Sequence, residues 1–180
     1  MKNKIVKFIG YSGSGKTTLI EKIVKRLSSE GIKVATVKHD VHGLDIDKEG
    51  KDSYRYSKAG ANVSIVSSPD MTVFKYHKKL SLNDIISKID NVDLIIVEGY
   101  SSEDNIPTIC VGRLGTGKGF KGINTDGSFD KNIIAIVSDY AEKDVNDIIK
   151  LSVKFNDNLK HFNINDDIEE LIDFIKSLDS

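Results

Sequence analysis

The sequence predicts a three-layer α/β fold with a mostly parallel central sheet and a β-hairpin extension. Short apolar segments alternate with helical patterns along the 180 residues, as they do in proteins built on parallel sheets. The first apolar segment, Ile5–Ile9, also leads through a glycine-rich turn into the helical pattern Lys16–Ser29. This order of strand, turn and helix is that of a βα unit. The length favours a single domain over residues 1–180.

The glycine-rich turn is the most informative motif of the chain. Residues Gly10–Thr17 read Gly-Tyr-Ser-Gly-Ser-Gly-Lys-Thr, which fits the phosphate-binding loop (P-loop) pattern and predicts a P-loop NTPase fold. Its glycines let backbone N–H groups curl around phosphate oxygens, and the helix N-terminus adds a positive dipole end. Lys16 can reach the β- and γ-phosphates, and the Thr17 hydroxyl can ligate Mg²⁺. The predicted nucleotide-binding residues of this segment are Gly10, Ser12, Gly13, Ser14, Gly15, Lys16, Thr17 and Thr18.

Hydrophobic periodicity and turn signals predict the remaining elements. Short apolar runs rich in β-branched residues predict strands, and apolar residues at helical spacing predict helices. The predicted strands after the first are Val34–Val37, Val63–Val66, Met71–Tyr76, Leu94–Val97, Ile106–Val111, Ile133–Val137 and His161–Ile164. The predicted helices are Lys16–Ser29, Asp52–Ala61, Ser81–Ile89, Val145–Val153 and Asp166–Leu178.

Boundary residues support several of these elements. Gly31 is a stop for the first helix, Ser81 is a helix cap, and the turn at Pro69 joins its two flanking strands into a hairpin. Leu94–Val97 is the most apolar strand and fits the middle of a parallel sheet. Because ligands in such sheets bind at the carboxyl ends of the strands, the residues that directly follow the strands are the candidates for chemistry.

An acidic residue follows the most apolar strand. Glu98 can face bound phosphates, where it can hold Mg²⁺ through water or orient an attacking water. A surface carboxylate at a strand end is the alternative. Given the P-loop, we interpret Glu98 as a metal ligand and, with Lys16, as a catalytic residue. Asp93 begins the same strand at the end far from the site, and we interpret it as structural.

A polar segment follows the strand Val34–Val37. It begins Lys38-His39-Asp40-Val41-His42, and its His and Asp residues could bind a metal, bind a second substrate or sense the γ-phosphate. The spacing of His39 and His42 is also typical of a solvated loop. By analogy with other P-loop proteins, Asp40 could be a second acidic group near Mg²⁺.

Two later segments are further candidates for contact with a nucleotide. The Asp139 carboxylate could accept hydrogen bonds from N1 and the exocyclic amine of guanine, or it could cap a following helix. The segment Gly112–Gly122 is glycine-rich and basic, so Arg113, Lys118 or Lys121 could close over phosphates or an anionic substrate. A mobile surface loop with incidental charge is the alternative for this segment.

Composition and charge narrow the class of partner. The net charge of −1 favours neither nucleic acid nor membrane as a partner, and no apolar run could span a bilayer. Too few residues precede Gly10 for a signal peptide. The single cysteine, Cys110, lies in an apolar strand and is predicted to be a buried core thiol. A cytoplasmic protein is the simplest interpretation.

Several segments together carry a family resemblance. They are Ser12–Leu19, Val37–His39 with His42, Asp45–Ser53, Lys58–Ala61, Asp93–Tyr100 and Ile136–Asp139. On these segments the chain resembles MobB, the molybdopterin-guanine dinucleotide biosynthesis protein B family, over nearly its whole length. It departs from the family pattern at Tyr100-Ser101, where the family often has Phe-Lys, and at Val41-His42, where the family commonly has two adjacent histidines.

The resemblance implies a dimeric protein that binds GTP and Mg²⁺ and has weak GTPase activity. It would act beside a MobA-like guanylyltransferase, which joins GMP to molybdopterin to give molybdopterin guanine dinucleotide. It implies that the P-loop holds phosphates and metal, that Glu98 is the strand-end acid, and that Asp139 falls where guanine is read. The hairpin around Pro69 and the loop Gly112–Gly122 are the candidate dimer contacts.

Two other functions fit the same residues. A small-molecule kinase would use Gly112–Gly122 as a lid, with His39 or Asp40 positioning an acceptor hydroxyl. A metal-delivery GTPase would use His39 and His42 as ligands. For each of these functions, no arginine of the sequence can be assigned to stabilise the charge on the phosphates during hydrolysis. Hydrolysis is therefore expected to be slow.

Overall fold

Six parallel strands form the central sheet of the computed structural model. They are β1 (Lys4–Ile9), β2 (Val34–Lys38), β5 (Leu94–Glu98), β6 (Thr108–Gly112), β7 (Ile133–Ser138) and β8 (Lys160–Asn163), in the order β2-β5-β1-β6-β7-β8. The predicted interior position of Leu94–Val97 is confirmed, because β5 lies between β2 and β1 and these four residues are buried. The predicted mostly parallel sheet is confirmed as well.

The structure describes residues 3–40, 48–103, 105–123, 129–141, 144 and 159–179. They belong to two compact units: a larger unit of Met1–His39 and Asn91–Ser180, which contains the sheet, and a smaller unit of Asp40–Asp90. The single domain expected from the length stays a prediction. The predicted helix Val145–Val153 lies outside the described residues.

Two helices cover one face of the sheet in the larger unit. They are α1 (Lys16–Ser29) and the last helix, α4 (Ile168–Ser177). Both present an apolar stripe that packs on inward-facing strand residues such as Val6 and Phe8, which are fully buried. A separate apolar cluster lies on the other side, where Phe120 and Phe129 pack on Ile9 and neighbouring residues. The end of α1 agrees with its predicted stop, since Gly31 has a φ of +81°.

Cys110 belongs to the second cluster, and the prediction of a buried core thiol is confirmed. Its side chain is fully buried, and its Sγ donates to the Lys121 carbonyl oxygen at 3.0 Å. Burial raises the pKa of the thiol to about 12, so the group is neutral and unreactive at neutral pH.

Asp93 has the structural role that the sequence indicated. Its carboxylate Oδ2 accepts from the Lys33 backbone N–H at 2.8 Å, and its own N–H donates to the Lys33 carbonyl oxygen at 2.8 Å. These bonds join the start of β5 to the start of β2, at the amino ends of the strands and therefore far from the P-loop.

The smaller unit contains the predicted hairpin. It comprises α2 (Asp52–Lys58), β3 (Val63–Ser67), β4 (Thr72–Tyr76) and α3 (Leu82–Ile86), and β3 pairs with β4 in antiparallel register. Ser81 caps α3 as predicted, through a capping box with Asp84. The helix ends at Ile86 rather than at the predicted Ile89. Directly after it, the Ser87 hydroxyl donates to the Asp84 carbonyl oxygen at 2.9 Å, and this bond competes with the backbone hydrogen bonds that would extend the helix.

Among the described residues, no helix is long and apolar enough to cross a membrane.

Candidate nucleotide-binding site

The P-loop connects β1 to α1, and its conformation requires glycine at several positions. Gly13 and Gly15 have φ of +83° and +85°, in the left-handed region that side chains rarely adopt. Gly10 is required for a different reason, because a Cβ atom there would lie 2.3 Å from the Val111 carbonyl oxygen. Gly15 is also the N-cap of α1. The turn therefore has the backbone form of a phosphate cradle at a helix N-terminus.

The Lys16 ammonium group is folded back over this turn. Its Nζ donates to the carbonyl oxygens of Gly10 at 3.0 Å and of Tyr11 at 2.8 Å, and it lies 3.4 Å from Ser14 Oγ. The cation is thereby held against the P-loop, where a bound phosphate would meet it. Ser12 and Thr18 lie in the same loop and first helical turn, with exposed side chains.

Burial and neighbouring charges both act on the Lys16 ammonium group. Burial lowers the pKa of Lys16, the Glu98 carboxylate raises it in part, and the positive charges of Lys121 and Lys38 lower it further. The charged form of Lys16 is thus less favoured here than in water. A phosphate anion beside Lys16 would favour the charged form again, so this lysine is suited to bind a phosphate.

Glu98 and Thr17 form the acidic side of the site. The Thr17 hydroxyl donates to Glu98 Oε1 at 3.0 Å and lies 3.2 Å from Oε2. Lys38, which pairs with Glu98 in the strand register, holds its Nζ 3.6 Å from Oε1. A hydroxyl and a carboxylate are oxygen ligands that Mg²⁺ prefers, so the residues present fit a magnesium ion at this position.

The chain that follows Glu98 is held by two contacts that sequence reasoning missed. Tyr100 has a φ of +51°, and its ring lies 4.6 Å from the His39 ring, centroid to centroid. The buried Lys7 ammonium donates to the Tyr100 carbonyl oxygen at 3.3 Å and also to that of Glu103. A lysine inside the apolar strand β1 was the available signal, because buried lysines occur almost only with partners.

The polar segment after β2 is described only in part. His39 is the last residue of the first segment of the larger unit, and it donates its backbone N–H to the Glu98 carbonyl oxygen at 3.0 Å. Asp40 is exposed and belongs to the smaller unit, so its predicted role near Mg²⁺ stays a prediction. His42, Asp45 and Asp47 lie outside the described residues. Within the described part of the chain, no three His, Cys, Asp or Glu side chains form a group that could hold a metal.

Asp139 follows β7 and contacts the glycine-rich loop. Its Oδ1 accepts from the Leu114 backbone N–H at 2.7 Å, so one carboxylate oxygen holds the start of that loop. Phe120 also anchors the loop, because its side chain is only 5% exposed. Its ring lies directly against Gly112, where an added Cβ atom would be 2.3 Å from the ring. Both ends of the segment from Gly112 to Phe120 are thus packed on the larger unit.

The structure therefore brings together the P-loop, Lys16, Thr17 and Glu98, as predicted from the sequence. A profile of the family described as "Molybdopterin guanine dinucleotide synthesis protein B", abbreviated MobB, matches residues 5–139. The chain belongs to the MobB family. The family resemblance predicted from the motifs is confirmed.

Individual members of the MobB family agree with this assignment. The chain is 36% identical over 156 residues to the molybdopterin-guanine dinucleotide biosynthesis adapter protein of Escherichia coli (strain K12), which covers 80% of this chain and 86% of the relative. It is 33% identical over 163 residues to the protein of the same name from Haemophilus influenzae, covering 85% and 88%. The crystal structure of Bacillus subtilis MobB superimposes with a TM-score of 0.67 at 26% identity, over 97% of this chain and 96% of that one. The predicted α/β P-loop NTPase fold is confirmed.

Replacing Gly10 by Ala is expected to abolish nucleotide binding, because the added Cβ atom would meet the Val111 carbonyl oxygen and force the P-loop backbone away from β6. Isothermal titration calorimetry measures the loss. Gly31→Ala is the control, since Gly31 also has a positive φ, +81° against +158° at Gly10, but nothing lies within 4 Å of an added Cβ atom there. It should lose about 1–2 kcal/mol of stability and bind nucleotide normally. Equal affinity of Gly10→Ala and the unmodified protein would contradict the expectation.

Proposed function

We propose that the protein is a GTP-binding accessory protein, with weak Mg²⁺-dependent GTPase activity, that assists a MobA-like guanylyltransferase in forming molybdopterin guanine dinucleotide. The observation that carries the proposal is a MobB family match over residues 5–139 that includes a P-loop with Lys16, Thr17 and Glu98 in reach of one another. Relatives at 33–36% identity are named adapter proteins of this pathway. An adapter acts through its partners, so slow hydrolysis is compatible with the role.

The same residues support GTP and Mg²⁺ as the ligands. Backbone N–H groups of the P-loop would hold the phosphates, and Lys16 would neutralise the β- and γ-phosphates. Thr17 and Glu98 would bind Mg²⁺ directly or through water, with Asp40 as a second acidic group. Lys16 and Glu98 would also be the catalytic residues: the ammonium would hold the γ-phosphate, and the carboxylate would orient the attacking water. The Mg²⁺ ion would supply charge neutralisation of the phosphates.

Asp139 is the proposed reader of guanine. It stands at the carboxyl end of β7, at the same edge of the sheet as the P-loop. One of its oxygens accepts from Leu114, and the other can accept from guanine N1–H or the exocyclic amine. Adenine presents no donor at N1, so it would leave this acceptor unpaired.

The unmodified protein is therefore expected to prefer GTP to ATP, and Asp139→Asn to lose most of that preference. Asn keeps a carbonyl oxygen for the Leu114 N–H but replaces the other oxygen by an amide that cannot accept a hydrogen bond. A loss of about 10- to 100-fold in the GTP/ATP affinity ratio corresponds to one or two hydrogen bonds to a charged group. Competition of both nucleotides against a fluorescent GDP analogue measures it. An adenine preference in the unmodified protein would refute the GTP assignment.

The accessory role is tested by pull-down of a purified MobA-like guanylyltransferase with the immobilised protein, with and without GTP. Retention of the enzyme is the expected result. Lys16→Ala should abolish nucleotide binding and remove any effect of GTP on retention, because the cation over the P-loop is lost. Lys25→Ala, an exposed lysine on the same helix, is the matched control and should behave as the unmodified protein. If the enzyme is retained neither with nor without GTP, the proposed partner is refuted.

A homodimer that uses the hairpin is part of the proposal. Ile65 and Phe74 are directly opposite each other in the β3–β4 register, and they are 58% and 59% exposed. Met71, near the turn, is 65% exposed. Exposed large apolar side chains on one hairpin are typical of an interaction site, which supports the hairpin as the contact between two copies.

Phe74→Ser is expected to convert the dimer to a monomer, because it removes the largest exposed apolar group of the hairpin. Size-exclusion chromatography with light scattering measures the mass. Leu114→Ser is the control, since Leu114 is similarly exposed, at 60%, but lies in the glycine-rich loop. If Leu114→Ser dissociates the dimer and Phe74→Ser does not, the dimer interface lies at the glycine-rich loop and not at the hairpin.

A further inference from the structure

Arg113 flanks the P-loop on the side opposite Glu98. It directly follows β6, and β1 lies between β5 and β6 in the sheet. Its guanidinium lies against Gly15: a Cβ atom on that glycine would be 3.4 Å from Arg113 Nε and 3.6 Å from Nη2. The two sides of the P-loop thus carry opposite charges, a carboxylate after β5 and a guanidinium after β6.

The Arg113 side chain has hydrogen-bonding capacity that the residues described by the structure do not use. Among the described residues, Arg113 Nε is the one buried side-chain polar atom without a hydrogen-bond partner. No carboxylate of the described residues forms an ion pair with this guanidinium. A buried donor left unpaired costs about 1–3 kcal/mol, so a partner of opposite charge is expected to come from a ligand.

The backbone around Arg113 is fixed, so the guanidinium is presented from a defined position. The Arg113 carbonyl oxygen accepts from Thr116 Oγ1 at 2.7 Å and from its backbone N–H at 3.1 Å. Asp139 accepts from Leu114 at 2.7 Å. Thr116 in turn packs near the P-loop, with its methyl group 3.9 Å from the position of a Cβ atom on Gly13.

We propose that Arg113 contacts the phosphate chain of the bound nucleotide from the β6 side, at the α- and β-phosphates, and that Asp139 is a positioning residue for it through the Leu114 N–H. The inference rests on the proposed binding of nucleotide to the P-loop. Thr17 and Glu98 take the metal side of the phosphate chain, where Mg²⁺ bridges the β- and γ-phosphates, which leaves the opposite side to Arg113. The guanidinium fork matches two phosphate oxygens at once.

The first test compares Arg113→Met with the unmodified protein in calorimetric titrations with GDP, GTP and pyrophosphate. Affinity for all three is expected to fall about 10- to 100-fold, as for the loss of a charge-assisted contact. Lys131→Met removes an equal charge at the amino end of β7, where the side chain is exposed, and should leave all three affinities unchanged. Arg113→Lys keeps a charge without the fork and should bind more tightly than Arg113→Met.

The outcomes separate this inference from the proposed function. Unchanged affinities in Arg113→Met, with binding lost in Lys16→Ala, would overturn the contact with Arg113 while nucleotide binding stands. A loss for GTP and GDP without a loss for pyrophosphate would limit Arg113 to the α-phosphate, ribose or base and would overturn its contact with the β-phosphate. Absence of nucleotide binding in the unmodified protein would refute the proposed function itself. If Arg113→Met lowers the thermal unfolding midpoint, the comparison rests on Arg113→Lys, which keeps the aliphatic stem and the charge.

A double-mutant cycle tests the positioning role of Asp139. Asp139→Ala removes the acceptor for the Leu114 N–H and is expected to weaken pyrophosphate binding, whereas Asp139→Asn retains the acceptor and the affinity. In the Arg113→Met background, Asp139→Ala should have no further effect, because the group that it positions is gone. Additive losses in the double variant would show that Asp139 does not act through Arg113.

Discussion

Strand β1 is hydrogen-bonded to β5 along one edge and to β6 along the other, and this double pairing places the P-loop between Glu98 and Arg113. Phe8 is in register with Glu98, and Ile9 is in register with Cys110. The P-loop therefore starts at the level where β5 ends in an acid and β6 ends beside Arg113. Because side chains alternate between the faces of a sheet, a one-residue shift in either pairing would turn these groups to the wrong face. The chemistry of the site depends on strand register before it depends on any single side chain.

Close packing around two glycines makes this register specific. A side chain at Gly10 would collide with the Val111 carbonyl oxygen, and one at Gly112 would collide with the Phe120 ring. The first glycine lets the P-loop lie directly on β6. Gly112 leaves room for the Phe120 ring, which is buried in the second apolar cluster. Since both contacts involve β6, the P-loop and the segment that carries Arg113 share one rigid support.

Much of the fold and half of the site could be predicted from the sequence, because the relevant signals are local. The P-loop spacing, the apolar runs and the cap at Ser81 each depend on neighbouring residues, and they predicted α1, β5 and the hairpin closely. The contact of Arg113 with Gly15 and the bond from Leu114 to Asp139 join residues far apart in the chain. No local pattern encodes such contacts, which is why Asp139 could be assigned only by its place after a strand and by the family resemblance. Lys7 was identifiable as unusual, but the carbonyl groups that it holds were not.

The charge distribution explains why overall composition gives little indication of an anion site. The chain carries a net charge of −1, yet Lys121 and Lys38 lie close enough to Lys16 to lower its pKa, and Arg113 lies against the same loop. Glu98 offsets this positive charge on the β5 side. A nucleotide with its phosphates in the P-loop would relieve the repulsion among these cations and satisfy the buried donor of Arg113. Under the proposed function, binding energy would come in part from the repulsion among these cations, since preorganised charges need no rearrangement when an anion binds.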